Sequence, residues 1–177
     1  MTMSPPLRKA ALAVHLTASV VWIGAVLAFL PLAVVGVSAR DEEELHAAFT
    51  AMAWIVKYVI VPLALGSLLT GLVSALGTSW GLFRHYWVLV KLVLTTLAIA
   101  VLLVQVAPIE RLAELAADPA SSLAGLPEAR RPVIHAAGGL VVLVFIQLLG
   151  VYKPRGLTPR GWREQQGLRT DGQQGSP

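Results

Sequence analysis

Few side chains in this 177-residue chain can do chemistry, and most of those stand in apolar surroundings. There are four histidines and no cysteine. His15 and His135 lie inside long apolar runs, His85 at the edge of a third, and His46 in an acidic stretch. Lys57 and Lys91 interrupt apolar runs as well. An ionisable group inside an apolar span is costly to keep there and is by default a functional hypothesis. Neutral imidazole binds iron well, so His15 reads as an axial ligand to haem iron, the metal-binding residue of a b-type site. Lys91 reads as the catalytic residue, orienting an acidic group or moving a proton. Lys91 or Arg84 would pair with a propionate or another anionic substituent. His85 is the nearest candidate for a second ligand, and Trp22 and His135 complete the set of expected cofactor contacts.

Each of these residues also has a purely structural reading. Lys91 and Lys57 can snorkel to the headgroups. His85, beside Arg84, Tyr86 and Trp87, suits an interfacial belt. His46 fits an exposed acidic helix. His15 has no long stem with which to reach water. The absence of cysteine rules out disulfides, iron–sulfur clusters held by cysteine, zinc-thiolate sites and covalently attached c-type haem.

Spacing indicates which of these groups can meet. His15, Ser19, Trp22 and Val26 recur at helical intervals, as do Lys91, Thr95, Ala98, Leu102 and Gln105. Ser67, Thr70, Gly71 and Ser74 form a small, weakly polar face, and Gly138 and Gly139 follow His135. His15 lies about 9 Å along a helix axis from Lys9, and Lys91 about 7–8 Å from Tyr86. Both therefore belong to the same half of a bundle, where His85 could join them. His135 and Lys57 belong to the other half. Two haems would need His135 to pair with His46, whose depth does not match, so one haem is expected.

The elements that must position these groups are long apolar helices. Hydrophobic residues make up 56% of the chain and charged residues 14%, too few charges to cover a soluble surface. The fold class expected is all-α integral membrane, a four-transmembrane-helix bundle with short amphipathic segments on its outer face. Spans are expected at about 10–37, 54–76, 86–107 and 133–152, each long enough to cross a bilayer core of about 20 residues. The first run is too long for a signal-peptide core and is read as a span. Pro108 is expected to close the third span. Amphipathic segments are expected at Asp41–Ala53 and within the loop from Pro108 to Pro132. Residues 1–154 form the transmembrane domain, and 155–177 a basic, disordered tail.

Eight Lys and Arg flank the N-terminus, the loop between spans 2 and 3, and the tail. Four lie on the other side, where eight acids outweigh them. The positive-inside rule then puts both termini in the cytoplasm, as in a multi-pass protein of a bacterial inner membrane. The basic residues divide among the membrane flanks and form no single patch, so no nucleic acid partner is expected. The bilayer itself is the expected partner, with a second copy or a membrane redox protein beside it.

Several ordered stretches resemble the small membrane-bound protoporphyrinogen oxidases of the HemJ type. Val14-His15-Leu16, Val21-Trp22-Ile23-Gly24 and Leu30-Pro31 resemble their first helix. Pro62 with Thr70-Gly71 resembles the second, Trp87 with Lys91-Leu92 the third, and Val151-Tyr152-Lys153-Pro154 the end of the last. Copper-resistance D-type membrane proteins share the outline more loosely. The run from Arg84 to Lys91 is similar to a mark of four-span actinobacterial membrane proteins. The resemblance implies b-type haem, redox chemistry on a porphyrin-like substrate, and functional roles for His15 and Lys91. The chain departs from that family after Pro31, where Leu32 stands in place of an arginine, and in its added His135.

The resulting expectation is a haem-binding membrane oxidoreductase or electron carrier acting on a porphyrin or a quinone-like substrate. The alternative is a small transporter, a metal-handling protein, or a non-catalytic subunit of a membrane complex. Copper(I) conduction fits poorly, because soft sulfur ligands are limited to three methionines, two of them at the N-terminus.

Overall fold

A computed structural model describes residues 3–39, 41–78, 81–118, 127–154, 156–163 and 165–166. Helix α1 (Pro5–Ser38) opens with proline in its first turn, where a missing N–H costs nothing. Helix α2 (Glu42–Ile55) is capped by the Asp41 carboxylate, which accepts from the Glu43 amide at 3.3 Å. A π-turn (Val56–Ile60) joins α2 without a break to α3 (Val61–Leu76). Pro62 lacks a donor, and its ring would crowd the preceding turn of a regular α-helix. The wider π-turn sits just before it, with the Val61 amide reaching back to the Val56 carbonyl. Helix α4 covers Tyr86–Ala117, and a 3-10 turn (Pro127–Arg130) leads into α5 (Arg131–Tyr152). Lys153, in the left-handed conformation at φ 44°, ends α5 before Pro154.

Among the described residues, four helical rods are long and apolar enough to cross a membrane. Three of them run 32 to 35 residues, about 50 Å, against a hydrocarbon core of about 30 Å. Their flanks leave Val20, Leu27, Leu69, Leu97, Val104 and Val141 exposed, which is consistent with lipid contact. Helix α1 packs on the α2–α3 rod and on α5, and α4 packs on the same two, so α1 and α4 stand diagonally. The N-terminus, the 77–86 loop and the C-terminal segment meet at one end, here the near end.

The surplus length collects at the far end. Phe49 and Met52 are fully buried there, packed with Ala33, Leu45, Ile109 and Leu112 in the main hydrophobic core. Gly36 lets α1 approach closely, since a Cβ would lie 3.1 Å from the Phe49 ring. His46 Nδ1 donates to the Ala116 carbonyl at 2.9 Å, and Lys57 pairs with Glu110 at 2.8 Å.

Three expectations are corrected here. Pro108 does not close the third span, because α4 continues through it to Ala117. Burial of Ile109 and Leu112 against α2 outweighs the proline stop signal. The segment from Asp41 to Ala53 is helical, as expected, but it runs on through the π-turn into α3, so the second rod begins at Glu42 and not near Trp54. The part of the tail that is described folds back instead of trailing away. Thr158 donates its hydroxyl to the Phe83 carbonyl at 2.6 Å, and its amide bonds the Arg84 carbonyl at 3.0 Å. Gly161 can come this close to the Arg84 carbonyl only because it has no Cβ. Residues 167–177 of the expected tail lie outside the described residues.

Candidate functional site

At the near end, α1, α3, α4 and α5 enclose a cavity of about 610 Å³. The small-residue face of α3 makes room for it and holds the imidazole of His15. His15 Nδ1 lies 3.1 Å from the Ser67 carbonyl and 3.2 Å from the Thr70 hydroxyl oxygen. A carbonyl can only accept, so Nδ1 carries the proton and Nε2 is left with its lone pair. The Thr70 hydroxyl donates to the Gly66 carbonyl at 2.7 Å, which leaves its oxygen free to accept from His15. Ser19 donates to the His15 carbonyl at 2.8 Å, so the Ser67 hydroxyl donates to Ser19, also at 2.8 Å. The ring rests against Gly71, where a Cβ would stand 3.0 Å from Cε1. Nε2 has no hydrogen-bond partner among the described residues. A metal-ligating histidine usually donates one ring N–H to a carbonyl or carboxylate in this way, leaving the other nitrogen bare.

Lys91 reaches the same cavity from the diagonal helix. Its half-buried stem lays Nζ over Gly150 of α5, 2.7 Å from where a Cβ would be. Nζ has neither a hydrogen bond nor an ion pair among the described residues, and it lies within electrostatic reach of His15. Arg8, Lys9 and Lys153 stand at the rim, and among the described residues no acidic side chain lines the cavity. Such a chamber favours an anionic ligand, because an unpaired ammonium in apolar surroundings is costly until a counter-charge arrives.

Trp22 forms the inner wall. It is 4% exposed and, like Leu143, also lines a second cavity toward the far end. Its indole N–H is sealed and has no hydrogen-bond partner.

The structure thus brings His15, Trp22 and Lys91 to one chamber, and leaves His85, Arg84 and His135 outside its walls. His85 caps the start of α4, bridged to Leu157, with its ring 6.4 Å from that of Trp87. Arg84 lies beneath the folded-back segment, where its carbonyl holds Thr158. His135 lines the second cavity. No group of three or more His, Asp or Glu gathers among the described residues, so His15 is a lone imidazole in its chamber.

No family model, curated protein or solved structure matches this chain. The site is therefore read from its own residues. Sequence reasoning did not select Ser67, Thr70, Gly71, Gln147 or Gly150 as site residues, although the periodic small face of α3 was a visible signal for the first three. Gln147, the one amide in its span, and Gly150 one turn on were available signals for the α5 wall.

Proposed function

We propose that this chain is a multi-pass protein of a bacterial inner membrane, with both termini cytoplasmic, that binds b-type haem in the near-end chamber and serves in redox transfer. The observation that carries this reading is that, among the described residues, a bare His15 Nε2 and an unpaired Lys91 share a chamber lined by no acid. The donor set fits the group. A volume near 610 Å³ lies within the range of small-molecule sites. His15 would hold the iron, and Lys91 with the basic rim would take the carboxylates. Bound haem would supply one-electron chemistry at the iron.

The chain's own residues do the rest. Ser67 and Thr70 hold the His15 ring in one tautomer, and Ser19 ties that turn of α1 to α3. Trp22 closes the inner wall. Lys91, with its amine next to the ligand's acidic groups, orients them and can pass a proton. No second imidazole lines the chamber, so the reading is a site with one histidine ligand.

The test is a reduced-minus-oxidised absorption spectrum of the detergent-purified protein, beside His15→Ala and Lys91→Met. A b-type signal absent from His15→Ala, and present but weakened in Lys91→Met, is expected. A colourless wild type after expression with added haem precursor rejects haem. The acid-free basic chamber then favours a carrier or subunit that binds an anionic amphiphile without metal.

A further inference from the structure

The second cavity, about 970 Å³, lies between α4 and α5 and is separated from the His15 chamber by Trp22 and Leu143. Its α4 wall runs from Leu94 to Leu115, about 30 Å, a length comparable to the hydrocarbon core. On the α5 wall, a Cβ at Gly138 or Gly139 would meet no atom within 4 Å, so among the described residues there is open space beside both.

The groove is graded in polarity. Its inner part is apolar. Nearer the far end, His135 Nδ1 donates to the Arg131 carbonyl at 2.8 Å. His135 Nε2 must then accept, and the Gln105 amide donates to it. The second Gln105 N–H has no partner among the described residues. At the mouth stand Arg111 and Arg131, and neither guanidinium has an ion pair or hydrogen bond among the described residues. Among the described residues Glu128 is the one acid on the lining, Glu110 is taken by Lys57, and Glu114 does not line the groove. Residues 119–126 contain no acid to neutralise them.

Apolar length, then neutral donors, then guanidinia is the order of groups along a lipid: chain, carbonyl, anion. We propose that this groove binds a membrane lipid with a long acyl chain and an anionic headgroup. The chain lies between α4 and α5, a carbonyl oxygen accepts from Gln105, and the phosphate or carboxylate rests on Arg111 and Arg131. A neutral isoprenoid quinone suits the apolar part but leaves both guanidinia unused. This site does not depend on the reading of the His15 chamber.

The test is native mass spectrometry of the full-length protein in detergent, incubated with equimolar phosphatidylglycerol and phosphatidylcholine carrying identical chains. An interfacial arginine is worth about 1 kcal/mol toward anionic lipid, which is about fivefold each. With Glu128 opposing one of them, roughly fivefold more phosphatidylglycerol adduct is expected. The exposed double variant Arg111→Gln/Arg131→Gln, which leaves Glu128 in place, should bring the ratio to one or below while keeping the phosphatidylcholine adduct. Gly139→Phe, which fills the groove, should remove both. Glycerol phosphate, which has the anion without the chains, should displace neither. Equal retention by the wild type, or a preference that survives the double arginine variant, overturns the proposal. So does displacement by glycerol phosphate, or by an isoprenoid quinone equally from the wild type and the double variant.

Discussion

Replacing Gly71 with alanine tests the His15 site without touching a polar group. The new methyl would stand 3.0 Å from Cε1 and 3.4 Å from Nδ1 of the imidazole. The ring cannot swing aside without stretching its 3.1 Å bond to the Ser67 carbonyl or its 3.2 Å bond to Thr70. Overpacking of this kind costs about 1–3 kcal/mol, and a lost hydrogen bond about 1 kcal/mol. Helix propensity returns at most about 1 kcal/mol for Gly→Ala. Gly66→Ala is the matched control. It lies on the same helix, meets nothing within 4 Å, and carries only the propensity gain. The two variants should therefore differ by about 2–3 kcal/mol. For a chain of this size that is roughly 4–12 °C in Tm, with Gly71→Ala the lower. Thermal unfolding of detergent-solubilised protein, followed by circular dichroism, measures the gap. If the two variants melt together, the imidazole is free to move, and the argument that α3 fixes its tautomer and position fails.

Three other perturbations separate structural from functional roles. Trp22→Phe removes a sealed indole N–H that has no partner, so stability should stay within about 1 kcal/mol of wild type, whereas Trp22→Ala should lose about 3–5 kcal/mol. A large loss in denaturation of Trp22→Phe would mean that the indole is bonded after all. Thr158→Val deletes the hydroxyl that bonds the Phe83 carbonyl and the Gly161 amide, so hydrogen exchange at Tyr86 and Trp162 should accelerate tenfold or more while the bundle's Tm holds. Unchanged protection at those amides would refute the docking. Lys57→Met breaks an ion pair whose side chains are 53% and 36% exposed, so no measurable change in Tm is expected at low or high salt. A drop in Tm that persists at high salt would show that the pair is shielded from solvent.

The composition and the four apolar runs were enough to indicate the long helices, because only helices and closed barrels satisfy every backbone group inside lipid, and runs this long without alternation do not suit barrel strands. The spacing of His15, Ser19 and Trp22, and of Ser67, Thr70 and Gly71, also showed which residues share one face of their own helix, since neighbours three and four apart lie side by side in any helix. Local signals failed where packing outweighed them. Pro108 reads as a stop, yet α4 runs on because Ile109 and Leu112 find a partner surface on α2. His85 reads as close to His15 in depth, yet it is the first residue outside α4 and caps it. Depth along a helix does not specify direction around it.

What the sequence by itself determined is the set of rods and the polar stripes each one carries, since both follow from local chemistry and helical period. The tertiary structure decided which stripes face one another. Gly71 and Gly150 read as ordinary small residues until the imidazole and the ammonium are seen resting on them. The division into two chambers at Trp22 and Leu143, one basic and closed in by His15 and the other long and apolar, depends on contacts between helices far apart in the chain. No local pattern encodes those contacts, because they depend on how four rods rotate about their own axes to fill a shared core.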